Sequence, residues 1–177
     1  KKDRFTDKVS WNHSKYFIDK FINDYKILGQ VDLKNLAIVG GAIIDTLLQL
    51  PLKDIDIFVV LDDETITDPD KFVQKRIEKF AEDIYNYMEK NNNDLKSIEE
   101  KNQLKDPKFK IDKNKFFNLD SFNITRFRNI YTFTIPSIRI PIQLIATPYK
   151  NINQVFEHVD IKCTAMAFYN NEVLFCE

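Results

Sequence analysis

Residues 37–60 read AIVGGAIIDTLLQLPLKDIDIFVV. The Gly40-Gly41 pair ends a brief apolar run, Leu36 to Val39, and opens a segment, Ala42 to Leu50, in which Ile43, Ile44, Leu47 and Leu48 recur at the spacing of a buried helix. Pro51 stops that helix, and Asp54 to Leu61, DIDIFVVL, is the strongest strand signal in the chain. Glycines that open a helix leave backbone N–H groups and the positive end of the helix dipole converging where an anion can sit, with no Cβ in the way. That arrangement is a phosphate cradle. Asp54 and Asp56 lie two apart, so on a strand their carboxylates project from the same face at the edge where the strand begins. Such a pair can hold a divalent cation through hard oxygen ligands, and Mg²⁺ is the natural candidate when phosphate oxygens supply the rest.

Composition sets the limits around this stretch. The 177 residues carry 26 basic and 27 acidic side chains, a net charge of −1, so the chain has no global field for gripping nucleic acid and any polyanion binding must be local. At 44% hydrophobic, with 15 Phe and 7 Tyr, there is enough apolar area for a sizeable core, which excludes wholesale disorder. No apolar stretch approaches the ~18–20 residues of a membrane span. Only 3 residues are glycine, where average usage of ~7% predicts about a dozen. A chain so sparing with glycine places an adjacent pair in an apolar run where the backbone needs an unusual torsion or a close approach. Cys163 and Cys176 have apolar neighbours and no metal-ligand spacing, and read as reduced core residues of an intracellular protein. The opening KKDRF lacks the apolar core of a signal peptide and reads as part of something longer or processed.

Outward from residues 37–60, the periodicity predicts an amphipathic helix over Ser14 to Leu28, with Phe17, Phe21 and Tyr25 on its apolar face and Gly29 as C-cap. A long helix is predicted from Phe72 to Met88, capped by Asp68 or Asp70. Asn91 to Lys115 is polar and reads as a solvated loop, an insertion or a weak helix near Leu95 to Leu104. Its lysines, interleaved with acids, mark a solvated face. Arg126 to Ile135 and Ile138 to Ile145 read as a hairpin around Pro136-Ser137, with Ile138, Ile140, Ile142 and Leu144 on one face. Ile152 to Phe156 reads as a short helix, and Asp160 to Tyr169 with Glu172 to Phe175 as two strands or a helix and a strand. The fold class is therefore α/β (α+β), a mixed sheet backed by helices. Residues 1–35 form an N-terminal helical extension, and residues 36–177 form the main domain, with a helix and polar insertion over 62–130.

The run V-G-G-A-I-I-D-T-L-L followed by K-D-I-D resembles the motif of the DNA polymerase β-like nucleotidyltransferase superfamily, closest to the head domain of CCA-adding tRNA nucleotidyltransferases and bacterial poly(A) polymerases. DIKCTAMAFYNNEVL, Asp160 to Leu174, is similar to a second segment of that family. The resemblance implies that Gly40 and Gly41 contact nucleotide phosphates, and that Asp54 and Asp56 are catalytic and bind Mg²⁺, as in a two-metal site. It further implies that Asp45 and Asp160 support the nucleotide. The implied reaction is attack by an acceptor hydroxyl, with RNA as the expected acceptor, on the α-phosphate of a nucleoside triphosphate, with release of pyrophosphate. The sequence departs from the pattern where Ile44, His158 and Val159 replace arginines and Gln143 stands for a third carboxylate. Those departures support an alternative, a catalytically degraded domain kept as a structural or assembly module in a larger complex. His13 and His158 belong to no sequence pattern of nucleophilic or metal chemistry and read as surface or boundary residues. Arg126, Arg128 and Arg139 flank the hairpin as replacement cations for phosphate.

Overall fold

In the computed structural model, which describes residues 13–62, 65–136, 138–159 and 165–176, the predicted strand after Pro51 is β2, Ile55–Val60. It pairs antiparallel with β1 (Leu36–Val39) on one side and parallel with β5 (Ile142–Tyr149) on the other. A parallel neighbour requires a crossover. Here it runs through the long helix α3 (Pro69–Lys105) and the strands β3 (Asn123–Phe127) and β4 (Ile130–Thr134). With β6 (Met166–Tyr169) and β7 (Glu172–Phe175), the described strands form one sheet of seven in the order β3-β4-β5-β2-β1-β6-β7. The mixed α/β architecture expected from the sequence is what the chain adopts.

The sheet has two unlike faces. Ile55, Ile57 and Val59 of β2 are fully buried and join the large core, together with Phe17 and Phe21 of α1 (His13–Asp24), Ile43 of α2 (Gly41–Leu47) and Phe80, Ile84 and Met88 of α3. The alternate residues turn to the other face, where Phe58 meets a smaller cluster around Val155 and Phe156 of α4 (Ile152–Glu157). That face is only partly covered. Phe17 stacks on Phe21 at 4.8 Å and meets Phe168 of β6 at 4.9 Å, so α1 is seated on the same core as the sheet.

Several elements differ from their sequence reading. The first helix ends at Asp24, and a 3₁₀ turn over Leu28–Gln30 follows, because it buries Leu28. Gly29 lies in that turn and caps no helix; a Cβ there would stand 2.9 Å from Ile22 Cγ2, so it is a close-approach glycine. α3 starts as read, with the Asp68 side chain accepting from the Lys71 N–H at 3.1 Å, but continues unbroken through the polar segment to Lys105. Asn92 explains much of that persistence. Its side chain donates to the Phe117 carbonyl at 2.9 Å and accepts from the Phe117 N–H at 2.7 Å, fixing the returning chain to the helix. The lysine-rich return is also less uniformly solvated than expected, since Lys115 lies 3.8 Å from Glu99, which is only 2% exposed.

The hairpin read around Pro136 is the β4–β5 pair, in which Phe133 opposes Ile142. Its second strand begins at Ile142, so Ile138 and Ile140 precede it, and an additional strand, β3, folds back at Arg128, whose φ of 55° turns the chain. Asn170 and Asn171, with φ of 50° and 64°, join β6 to β7 as a two-residue hairpin, which decides for two strands at the C-terminal end. Cys176 is exposed and is not a core residue, because it follows the end of β7; Cys163 lies outside the described residues. Among the described residues no helix is long and apolar enough to cross a membrane.

Candidate functional site

The chain leaves β1 through Gly40, whose φ of 78° and ψ of −132° place it where residues with a Cβ are strained. Its N–H donates to the Met166 carbonyl at 2.8 Å, and its carbonyl accepts from the Ile43 N–H at 3.0 Å, so this residue ties β1, β6 and α2 together. The Gly40 amide is therefore committed to the sheet and does not face a phosphate. At the next position the amide has no intrahelical acceptor, and a Cβ on Gly41 would meet nothing within 4 Å. The two glycines thus divide the work: Gly40 makes the turn, and Gly41 leaves open space above the helix start. Gly40→Ala is expected to cost about 1–3 kcal/mol through forced backbone strain, read as a lower denaturation midpoint.

Asp54 is exposed immediately before β2, and Asp56 is half-buried within it. Asp56 is flanked by Val39 on β1 and by Gln143 on β5. Paired residues share a face, so Asp56 and Gln143 both emerge on the less covered side of the sheet, with Thr132 of β4 next in the row. The Asp56 carboxyl is pushed up to about 6, first by its burial and then by the negative charge of Asp54. The Asp54 charge is close enough to oppose ionisation of Asp56, and a cation beside the two would relieve that opposition.

The other predicted residues are more dispersed. Asp45 is half-buried on α2, and its carboxylate makes no hydrogen bond or ion pair among the described residues. Asp160 lies outside the described residues. Ile44 faces an apolar groove shared with Leu47, Leu48, Met166 and Phe175, well suited to packing and not to holding phosphate. His158 is exposed at the end of α4, a surface residue as read from the sequence; its Nδ1 is 2.8 Å from the Gln154 carbonyl and its ring meets Tyr149 edge-on at 5.2 Å. Val159 packs against the smaller core cluster. Thr132 belongs to no motif in the sequence; the alternation of Thr132 and Thr134 with Tyr131 and Phe133 is the signal that places it on the polar face.

The donor set fits one hard divalent ion. Two carboxylates and the Gln143 amide would offer hard oxygen donors, and Mg²⁺ characteristically takes one or two carboxylates while keeping waters and phosphate oxygens. Among the described residues no group of three His, Cys, Asp or Glu is gathered as a metal site, so the substrate would have to complete the shell. Protons compete for Asp56. Affinity for Mn²⁺, a Mg²⁺ surrogate, is expected to fall as pH drops through about 6, approaching tenfold per unit below it, in titrations followed by electron paramagnetic resonance.

Fold and site together define an α/β protein with a half-buried carboxyl, Asp56, on the less covered face of a mixed sheet, with the Asp54 charge near it and a glycine turn after the neighbouring strand. The family model for Gabija anti-defense 2 (Gad2) proteins matches residues 12–177, and the chain belongs to that family. Comparison with curated proteins and with solved structures returns no match. This assignment corrects the resemblance to the polymerase β-like nucleotidyltransferases, for which no family model matches. The likeness rested chiefly on two glycines and two aspartates at fixed offsets in residues 37–60, with a less specific second match over Asp160 to Leu174. A strand, turn, helix and strand of these lengths imposes those offsets locally, whatever the rest of the chain is.

Proposed function

We propose that the protein carries out Mg²⁺-dependent nucleotidyl transfer, moving a nucleotide from a nucleoside triphosphate to a hydroxyl acceptor. The observation that supports this most is Asp56 on the less covered sheet face, with the Asp54 charge beside it and its carboxyl driven up to about 6. A strand end kept only for solubility has no reason to bury one carboxylate against another charge. Bound there, Mg²⁺ would neutralise phosphate charge and lower the pKa of the attacking hydroxyl. Asp54 and Asp56 would hold it, Gln143 would orient Asp56 or a water from the adjacent strand, and Gly41 would let phosphate approach the helix start. The acceptor oxygen would bond to the α-phosphorus as the bond to the bridging oxygen breaks, pyrophosphate leaving and the hydroxyl proton passing to water. Incubation with α-labelled nucleoside triphosphates, Mg²⁺ and candidate acceptors tests this. Label must enter the acceptor, and its absence with all four nucleotides overturns the reading.

A second reading is favoured by a specific surface. Leu48 and Phe175 are 63% and 48% exposed in the Ile44 groove, an apolar patch of the kind that marks protein contacts. On that reading the domain is an assembly module that acts by binding a component of the Gabija defence system, as the family name invites. It requires that Asp54→Ala with Asp56→Ala leave protection from the defence system intact, and that Leu48→Asp with Phe175→Asp remove it.

A further inference from the structure

The two edges of the sheet are treated differently. At one end β7 is covered by α1: the Val173 N–H donates to Ser14 Oγ at 2.9 Å, and the His13 ring meets Phe175 edge-on at 5.8 Å. At the other end β3 lies outermost, and every residue from Asn123 to Phe127 is exposed. The alternation of an antiparallel ladder fixes which backbone groups this edge presents. The Ala146 N–H donates to the Asn129 carbonyl at 2.7 Å, so the residues of β4 in phase with Asn129, Tyr131 and Phe133, bond to β5. Ile130, Thr132 and Thr134 then bond to Phe127, Thr125 and Asn123 of β3. Ile124 and Arg126 are left with N–H and C=O groups directed away from the sheet, and among the described residues no backbone group pairs with them.

An exposed edge is normally blunted by lysine, proline or a bulge. β3 contains neither lysine nor proline, and its register against β4 runs unbroken from Asn123 to Phe127. Its one charge is drawn back. Arg126 shares the core-facing side of the sheet with Tyr131 and Leu144, its guanidinium 5.1 Å over the Tyr131 ring and its Nε donating to the Arg128 carbonyl at 3.0 Å. On the turn, the Arg128 guanidinium folds to 5.3 Å from the Phe127 ring centroid. Among the described residues neither guanidinium forms an ion pair with a carboxylate, and residues 121–149 hold no Asp, Glu or Lys. The open backbone suits an added strand, and charge selects which one. A second copy, pairing β3 on β3, would gather four uncompensated guanidinium groups at one seam, whereas an acidic strand would neutralise two. We infer that β3 accepts an extended acidic strand of a partner protein, paired antiparallel through the N–H and C=O groups of Ile124 and Arg126, with a carboxylate beside Arg126. Two positions on from that carboxylate, a β-branched residue of the partner faces Ile124. This edge lies three strands from β2, and its use does not depend on nucleotidyl transfer.

The test is NMR of the nitrogen-labelled 177-residue chain, titrated with the capped peptide Thr-Thr-Glu-Thr-Glu-Thr-Val-Thr-Thr, whose central Glu is set against Arg126 and whose Val against Ile124. Saturable shifts are expected, largest at the Ile124 and Arg126 amides, which should also exchange more slowly with solvent. N-methylation of the peptide at the central Glu and the Val keeps every charge but removes the donors, and should weaken binding about tenfold or more. Lysine in place of both Glu should weaken it about fivefold. Ile124→Pro deletes an outward N–H that β4 does not use, so it should abolish the shift at Arg126 with little change in melting temperature. Arg126→Gln, which leaves the backbone intact, should reduce the preference for the Glu peptide over the Lys peptide. Absence of binding, equal binding of the N-methylated peptide, or no preference for Glu over Lys in the wild type each overturns the proposal. Concentration-dependent shifts at Ile124 and Arg126 without peptide would give this edge to a second copy and overturn it as well.

Discussion

Asp56→Asn is expected to lower nucleotidyl transfer by about a thousandfold or more while making the protein more stable. The two effects have one cause. Burial and the charge of Asp54 raise the Asp56 carboxyl from the ordinary 3.8 to about 6, so between those values the folded chain binds a proton that the unfolded chain has released. Stability without metal therefore falls as pH rises through that window, and above about 6 the full cost of the ionised carboxylate stands. A neutral amide of the same shape removes it. Discounted for the part of the side chain that solvent still screens, the gain at pH 7.5 is about 1–2 kcal/mol, or roughly 2–8 °C in melting temperature for a chain of this size. Below pH 4 the wild-type carboxyl is protonated and the gain disappears. On the proposed reading a bound Mg²⁺ offsets that cost in the wild type, so added Mg²⁺ should raise its melting temperature and leave that of the variant unmoved. Transfer within tenfold of wild type in Asp56→Asn would remove the carboxylate from the reaction. A variant no more stable at pH 7.5 would show that Asp56 is not held against its charge.

The portion of this architecture that rests on short, regular patterns is legible in the sequence. Residues 37–60 contain a complete strand, turn, helix and strand, and the two-residue spacing of Asp54 and Asp56 brings their charges near one another at the start of β2. Asn170-Asn171 similarly marks a turn whose left-handed torsions asparagine tolerates. The rest is held by contacts distant in sequence. The second half of α3 has too few apolar residues to announce itself, and its register is secured by Asn92 against Phe117 and by Lys115 beside Glu99, on a segment that turns back on it. β3 is exposed along its whole length and so shows no buried face to read. Gly40 misleads in a different way. A glycine pair at a helix start predicts open amides, but the Gly40 N–H is consumed by Met166, and that partner is fixed only once β6 lies beside β1. The family resemblance fails for a related reason, since a motif confined to one supersecondary unit reports the geometry of the unit and not the descent of the chain.

Phe80→Ala is expected to destabilise the fold by about 3–5 kcal/mol, more than any other single truncation of the α3 stripe. Phe80 is fully buried in α3, and its ring meets Phe133 of β4 edge-on with centroids 5.0 Å apart. It lies in the stripe Val73, Ile77, Phe80, Ile84 and Met88, which recurs every three or four residues and presses one side of the helix onto the sheet. Removing the ring opens a cavity bounded by strand residues on one side and a continuous helix on the other, neither of which can collapse into it without moving the whole sheet. On a typical margin of about 5–15 kcal/mol the loss is a large fraction of stability, equivalent to a fall of roughly 6–20 °C in melting temperature. A decrease below about 1 kcal/mol would mean that α3 does not pack on β4 through this ring. Phe133→Ala in the same background should then cost less than it does alone, because the aromatic contact worth about 0.5–1.5 kcal/mol is already gone. The damage is confined to the helical side. Phe133 opposes Ile142, whose side chain joins the large core, while the next residue, Gln143, turns to the opposite face beside Asp56. Below its melting temperature, Phe80→Ala should therefore keep wild-type Mn²⁺ affinity, the reverse of the outcome expected for Asp56→Asn, an intact fold with weakened Mn²⁺ binding. Opposite outcomes in the two variants would separate what holds this sheet together from what its open face is built to do.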